Sequence, residues 1–236
     1  MPMSVKSFNH WLRYRFWCFR DKLRDLILGR RHRRAVFQRI YDDNLWGDPE
    51  SASGSGSGSD ATASIRSQLR QLFEKYGVSS LLDAPCGDYF WMKDIASNLA
   101  RYWGVDIVPS LVEKNQRDYG TEKITFQCAD ISTDPLPAAD LVLCRDCFIH
   151  LPTRIILDSL ENFRATGARY LLLTCDLDAG PYRDVPIGSY RPINFLKAPF
   201  YFPEPRESVA ENESESRLLC LWEFATLPVA SACTRH

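Results

Sequence analysis

Four carboxylates and one histidine carry the chemistry legible in this chain. Asp83, Asp106 and Asp130 each close a short apolar run, Asp146 follows a fourth, and His150 comes four residues later. Acids at the ends of buried strands can accept hydrogen bonds from hydroxyls and amines, and they can face cations. Asp106 lies nineteen residues beyond Gly87. An acid about 20 residues past a glycine turn suits a grip on a pair of ribose hydroxyls. His150 titrates near neutrality and so suits a general base, with Asp146 as a second candidate. Any one of these acids alone would more often cap a loop or helix. Their repetition in one order favours a site.

Such a series needs a scaffold of parallel strands. Residues 80–91 read as an apolar run ending on Asp83, a turn through Pro85 and Gly87, and then amphipathic sequence. That is a buried strand feeding a helix through a tight loop, the place where doubly wound α/β folds bind nucleotides. Strands are expected at 80–84, 102–106, 124–128, 140–144 and 169–175, and helices at 64–76, 91–100, 109–118 and 153–165. The alternation implies a mostly parallel sheet with right-handed crossovers. Residues 207–212 and 217–224 could close it as an antiparallel pair.

The run Leu81-Leu82-Asp83-Ala84-Pro85-Cys86-Gly87-Asp88-Tyr89 resembles the first motif of the class I S-adenosylmethionine-dependent methyltransferases. Only the middle glycine of that motif survives, with Pro85 and Tyr89 in place of the other two. Residues 102–114, the strand ending on Asp130, and the run from Ala139 to His150-Leu151-Pro152 look like the motifs that follow. The resemblance implies the Rossmann-like fold and S-adenosylmethionine as cofactor. It also implies cofactor contacts from Asp83, Ala84, Pro85, Cys86, Gly87, Asp106, Ile107, Asp130, Ile131 and Arg145. In this reading Asp106 takes the ribose, Asp130 the adenine amine, and the loop after Asp83 the methionine end. No substrate transfers with the family. A small-molecule or glycan acceptor is expected, with a hydroxyl favoured, and Tyr190, Arg191 and Asn194 are acceptor candidates by position.

Composition restricts the alternatives. The chain has 236 residues, 45% of them hydrophobic, enough for one α/β domain with extensions. Net charge is −1, yet residues 1–41 carry +9 and the remainder −10. The acidic remainder offers no general surface for nucleic acid. Four of the eight cysteines, Cys128, Cys144, Cys175 and Cys220, lie in or beside strand-like runs, where free cysteine behaves as a small hydrophobe. Cys144 and Cys147 form a Cys-x-x-Cys pair without a second ligand pair, so no metal is expected. A reducing cytoplasm fits best, since no run reaches the roughly 18 apolar residues of a membrane span and arginines interrupt the N-terminus.

Residues 1–41 read as a basic amphipathic helical extension, with Phe8, Trp11, Leu12, Phe16, Phe19, Leu23, Leu26 and Ile27 recurring at three- and four-residue steps. Such a helix either packs on the domain or lies on an anionic membrane, a partner expected for residues 1–34. Residues 42–63, rich in Ser and Gly, read as a flexible linker or as a lid near the strand ends. The methyltransferase domain is expected over 64–228 and a loose tail over 229–236. Within it, the Pro- and aromatic-rich stretch 177–206 is expected to form an acceptor-pocket wall rather than core. Two other function classes remain open on sequence. One is a nicotinamide-dependent oxidoreductase, which would want the full glycine motif. The other is a non-catalytic binding or membrane-tethered interaction protein.

Overall fold

A computed structural model describes residues 5–47, 49–211 and 216–228, with side chains from Phe16 onward. The expectations for Phe8, Trp11 and Leu12 in the N-terminal face and for the 229–236 tail lie outside the described side chains and residues. Seven strands form one sheet: β1 (Ser80–Asp83), β2 (Arg101–Asp106), β3 (Ile124–Cys128), β4 (Leu141–Cys144), β5 (Tyr170–Asp176), β6 (Glu207–Ala210) and β7 (Arg217–Glu223). Their spatial order is β3-β2-β1-β4-β5-β7-β6, parallel through β5, with β7 antiparallel to both of its neighbours. The chain order reverses between β1 and β4, and a crevice at the strand ends there is where an open α/β sheet binds ligands. This antiparallel closure separates the fold from the doubly wound dinucleotide order 3-2-1-4-5-6.

Adjacent strand residues point to opposite faces, and the core divides accordingly. Leu82, Val142, Leu171 and Leu173 bury on one face with Ile155, Ile156 and Phe163 of α6 (Thr153–Ala165). Leu81, Leu141, Leu143 and Leu172 bury on the other with Ile65, Leu69, Leu72 and Phe73 of α3 (Ser59–Lys75). Two further helices connect the early strands, a short α4 (Lys93–Ala96) and α5 (Pro109–Tyr119). The expected 91–100 helix shrinks to that one turn.

Gly29, at φ 50°, breaks the expected N-terminal helix into α1 (Val5–Leu28) and α2 (Arg30–Asp42). The 177–206 stretch corrects a second expectation. Its Ile193, Phe195, Phe200 and Phe202 are buried in the core, the Phe202 ring packs edge-on against Trp222, and Trp222 Nε1 donates to the Pro203 carbonyl at 2.8 Å. Aromatic residues between prolines give the sheet an apolar cover without needing a helix. Ten of the 30 residues in the stretch are buried, its aromatic centre among them.

Candidate active site

The loop after β1 forms the floor of a cleft. Ala84 N–H donates to Leu143 O and Cys86 N–H to Val105 O, so the loop is pinned to the two neighbouring strands. Gly87 has φ 53°, and a Cβ there would sit 2.1 Å from Ser53 Oγ. The surviving glycine is therefore required by an overlying segment as well as by its turn. The missing third glycine has another explanation. Tyr89 also adopts positive φ, at 61°, and its ring is buried against Tyr102, Tyr119 and Phe126. An aromatic anchor holds the loop where the motif would have flexibility.

Residues 51–57 do not behave as a solvated linker. Asp88 accepts hydrogen bonds from Ser51 Oγ and the Ala52 amide, both at 2.9 Å, and Ser53 Oγ accepts the Asp88 amide at 3.1 Å. Arg145 Nη2 donates to Gly56 O at 2.8 Å, and the same guanidinium lies 5.3 Å over the Trp91 ring and donates to Glu211 at 2.8 Å. Ser and Gly serve here as small residues that let backbone approach the strand ends closely.

Two cleft carboxylates are buried without an ion-pair partner among the described residues. Asp83 accepts the Tyr102 hydroxyl at 2.7 Å, and burial pushes its pKa up to about 7. Asp106 accepts the amides of Gly87 at 3.2 Å and Val108 at 3.0 Å, and burial raises it to about 6. Removing these groups from water disfavours their charged forms, and a nearby cation would restore them. Asp130 is different. Its Oδ2 accepts Arg33 Nε at 2.7 Å, and its Oδ1 accepts both the amide and hydroxyl of Ser132. A carboxylate has about four acceptor positions, so one is left for an adenine amine.

At the end of β4, Asp146 stands at φ 53° and accepts from Arg217. Burial would raise its pKa, but Arg145 and Arg217 outweigh burial and hold it below the ordinary carboxylate range. That corrects its candidacy as a base, because a carboxylate locked to two guanidiniums is a poor proton acceptor. His150 is better placed for the role. Its Nδ1 donates to Ser189 O at 2.9 Å, a tautomer fixed by a partner that can only accept, so Nε2 keeps a lone pair. Burial lowers its pKa, so the ring is neutral at pH 7. It stacks on Trp46 with centroids 5.0 Å apart, and Tyr190 lies 6.0 Å away.

One cleft collects Asp83, Pro85, Cys86, Gly87, Asp106, Ile107, Asp130, Ile131, Arg145, Asp146 and His150 from the expected residues. Ala84 is buried beneath it. Arg191 and Asn194 are buried and do not line this cleft. Arg191 Nη2 donates to the Tyr182 hydroxyl at 2.7 Å, and Asn194 Nδ2 donates to Leu177 O at 3.0 Å. Sequence reading missed Arg33, Phe37, Ile40 and Tyr41 of α2, together with Trp46 and Trp91, which line the cleft as well. The aromatic density of 37–48 was the available signal, but nothing in it fixed which strand ends it would cover.

Comparison with known proteins agrees with this geometry. Residues 81–166 match the methyltransferase domain family, a span covering β1 through α6. The fold is similar to that of the 1,6-didemethyltoxoflavin-N1-methyltransferase of Burkholderia thailandensis, crystallised with 1,6-didemethyltoxoflavin and S-adenosylhomocysteine. That match has TM-score 0.55 and 19% identity, over 80% of this chain and 86% of that one. It is also similar to the N-methyltransferase NodS of Bradyrhizobium japonicum WM9 bound to S-adenosylhomocysteine, with TM-score 0.53 and 13% identity, over 78% and 98%. Comparison with curated protein sequences gives no match. The chain thus has the class I methyltransferase, Rossmann-like fold. Domains of this class take their methyl group from S-adenosylmethionine, and the cleft fits that cofactor. Two unpaired buried carboxylates suit its ribose hydroxyls and cationic groups.

Proposed function

We propose that this protein is an S-adenosylmethionine-dependent methyltransferase acting on a small-molecule or glycan hydroxyl. The observation that carries the reading is the pair Asp83 and Asp106. Both are buried at the ends of adjacent strands, both have raised pKa values, and neither is compensated by an ion pair among the described residues. A protein does not stabilise itself by burying unpaired carboxylates, so their partner is a ligand.

S-adenosylmethionine supplies an electrophilic methyl group on a sulfonium. Displacement there is in line, and the protein's part is alignment in a space that excludes water. Asp106 receives the ribose hydroxyls, and Asp83 with the loop to Gly87 receives the methionine end. When bound, S-adenosylmethionine would supply its methyl group to an acceptor oxygen held beside His150, with the sulfur as leaving group. The hydroxyl proton passes to His150 Nε2. Trp46 and Tyr190 present ring surfaces beside that imidazole, which suits a flat or sugar-like acceptor. Calorimetry with S-adenosylhomocysteine tests the donor site, and NAD is the contrasting ligand. Binding of NAD alone overturns the reading. Turnover of labelled S-adenosylmethionine against hydroxyl and amine panels tests the acceptor, and methylation confined to amines removes the hydroxyl assignment.

A further inference from the structure

α1 is docked by its polar side and shows its apolar side to solvent. Asp21 and Asp25 are only 7% and 5% exposed. Asp21 pairs with His32 Nε2 at 2.8 Å and accepts the Ile187 amide at 3.0 Å. Asp25 accepts Arg33 Nη1 at 2.6 Å and also accepts from Arg154. Outward stand Phe16, Phe19, Leu23, Leu26 and Ile27, at 62%, 63%, 44%, 76% and 70% exposure. Their spacing of three and four residues makes one continuous stripe, which a helix of a soluble domain ordinarily turns inward. A contiguous exposed apolar patch of this kind marks a binding surface.

Charge identifies the occupant. Asp21 and Asp25 are the only acids in residues 1–41, and both are buried and paired. Arg20, Lys22, Arg24 and Arg31 are exposed around the stripe, with Lys22 3.3 Å from Asp184. An apolar stripe edged by cations with no exposed carboxylate of its own matches an anionic lipid surface, where acyl chains take the rings and headgroups take the arginines. Among the described residues no helix is long and apolar enough to cross a membrane, so contact would be peripheral. We propose that the outward face of α1 binds the surface of an anionic bilayer. This inference does not depend on the methyl-transfer reading.

The test uses the full chain floated with phosphatidylcholine vesicles, with and without phosphatidylglycerol. Wild type is expected to co-float with the anionic vesicles at low salt. It should be released toward 1 M salt, where screening shortens the reach of charge to about 3 Å. The variant Phe19→Ser/Leu26→Ser/Ile27→Ser changes only exposed side chains, so its melting curve should match wild type, and its vesicle partition should fall about tenfold or more. Arg20→Glu/Arg24→Glu should abolish the preference for anionic lipid while keeping the stripe. The proposal is overturned if wild type ignores anionic vesicles at low salt, or if the triple serine variant floats as wild type does. A dimer seen by light scattering that the serine variant dissolves, without any vesicle binding, would assign the face to a second copy instead.

Discussion

Replacing Asp83 with Asn should stabilise the protein while weakening its cofactor site, and the gain should depend on pH. In the folded chain burial raises the Asp83 pKa from 3.8 to about 7, with Asp106 adding to the shift and Tyr102 and Arg145 opposing it. A raised acid pKa means the folded state holds a proton that the unfolded state has released. The associated stability is therefore complete below about pH 4 and is lost as pH rises through 7. About three pKa units at 1.36 kcal/mol each set a ceiling near 4 kcal/mol, of which about 2–3 kcal/mol falls between pH 5 and pH 8. The amide side chain of the Asp83→Asn variant does not ionise, and its carbonyl can still accept the Tyr102 hydroxyl. Any cost of burying the new NH2 group is constant with pH and cancels when the two pH values are compared. At about 2–4 °C per kcal/mol, the melting advantage of Asp83→Asn over wild type should grow by roughly 5–10 °C from pH 5 to pH 8. Circular dichroism melts at both pH values measure it. An advantage equal at the two pH values would refute the assignment of a buried, titrating carboxylate. Calorimetry supplies the functional half. Near pH 7 wild type should release part of a proton on binding S-adenosylmethionine, because a cation beside Asp83 favours its charged form, and the variant should release less and bind more weakly.

Asp106→Ala should weaken S-adenosylmethionine binding by about 1.5–3 kcal/mol, read by calorimetry, since it removes a charged acceptor facing the ribose. Arg33→Ala leaves Asp25 and Asp130 buried without their shared guanidinium and should cost on the order of 3–5 kcal/mol in denaturant unfolding; a loss below about 1 kcal/mol would show that the pair is not structural. Gly87→Ala puts a side chain at φ 53° and 2.1 Å from Ser53 Oγ, so the 51–57 segment must move and cofactor affinity should fall more than stability. His150→Ala should lower kcat by about 100-fold or more while changing cofactor affinity only a few-fold. Because burial lowers the His150 pKa below the ordinary histidine value, wild-type kcat should have levelled off by about pH 7.5, and a kcat that keeps climbing through pH 8 would point to another base.

The strand series was legible because it rests on local rules. Short apolar runs leading to Asp83, Asp106 and Asp130 are parallel strands, and their order put the acids at or just past the C-terminal ends of those strands. What escaped was the burial of residues whose composition suggests loops. Ser51, Ser57 and the glycines between them look like linker, yet Asp88 and Arg145 hold that segment down over the cleft. Phe195, Phe200 and Phe202 look like a pocket wall, yet they fill the space beneath β7. In both cases the partner lies far along the chain, so no window of neighbouring residues contains the reason. Tyr190, by contrast, is exposed, with its ring 6.0 Å from that of His150.

α1 shows the same limit from the opposite side. Its three- and four-residue apolar spacing correctly implies a helix with one apolar face, but periodicity does not say which face meets the domain. That choice was made by Asp21 and Asp25, the two acids in a strongly basic segment. Buried facing His32, Arg33 and Arg154, they hold α1 through a hydrogen bond to His32 and ion pairs to the two arginines, with the aromatic stripe outward. The same pairs reach the cleft, because Arg33 bridges Asp25 to Asp130, and α2 contributes Phe37, Ile40 and Tyr41 to its lining. A truncation beginning at Ala35 therefore cannot be treated as an isolated catalytic domain. It strands Asp130 without its cation and removes the support beneath α2, so any loss of vesicle binding in that truncation would be mixed with damage to the cofactor site. Substitutions confined to the exposed stripe separate the two, since none of Phe19, Leu26 and Ile27 lines the cleft.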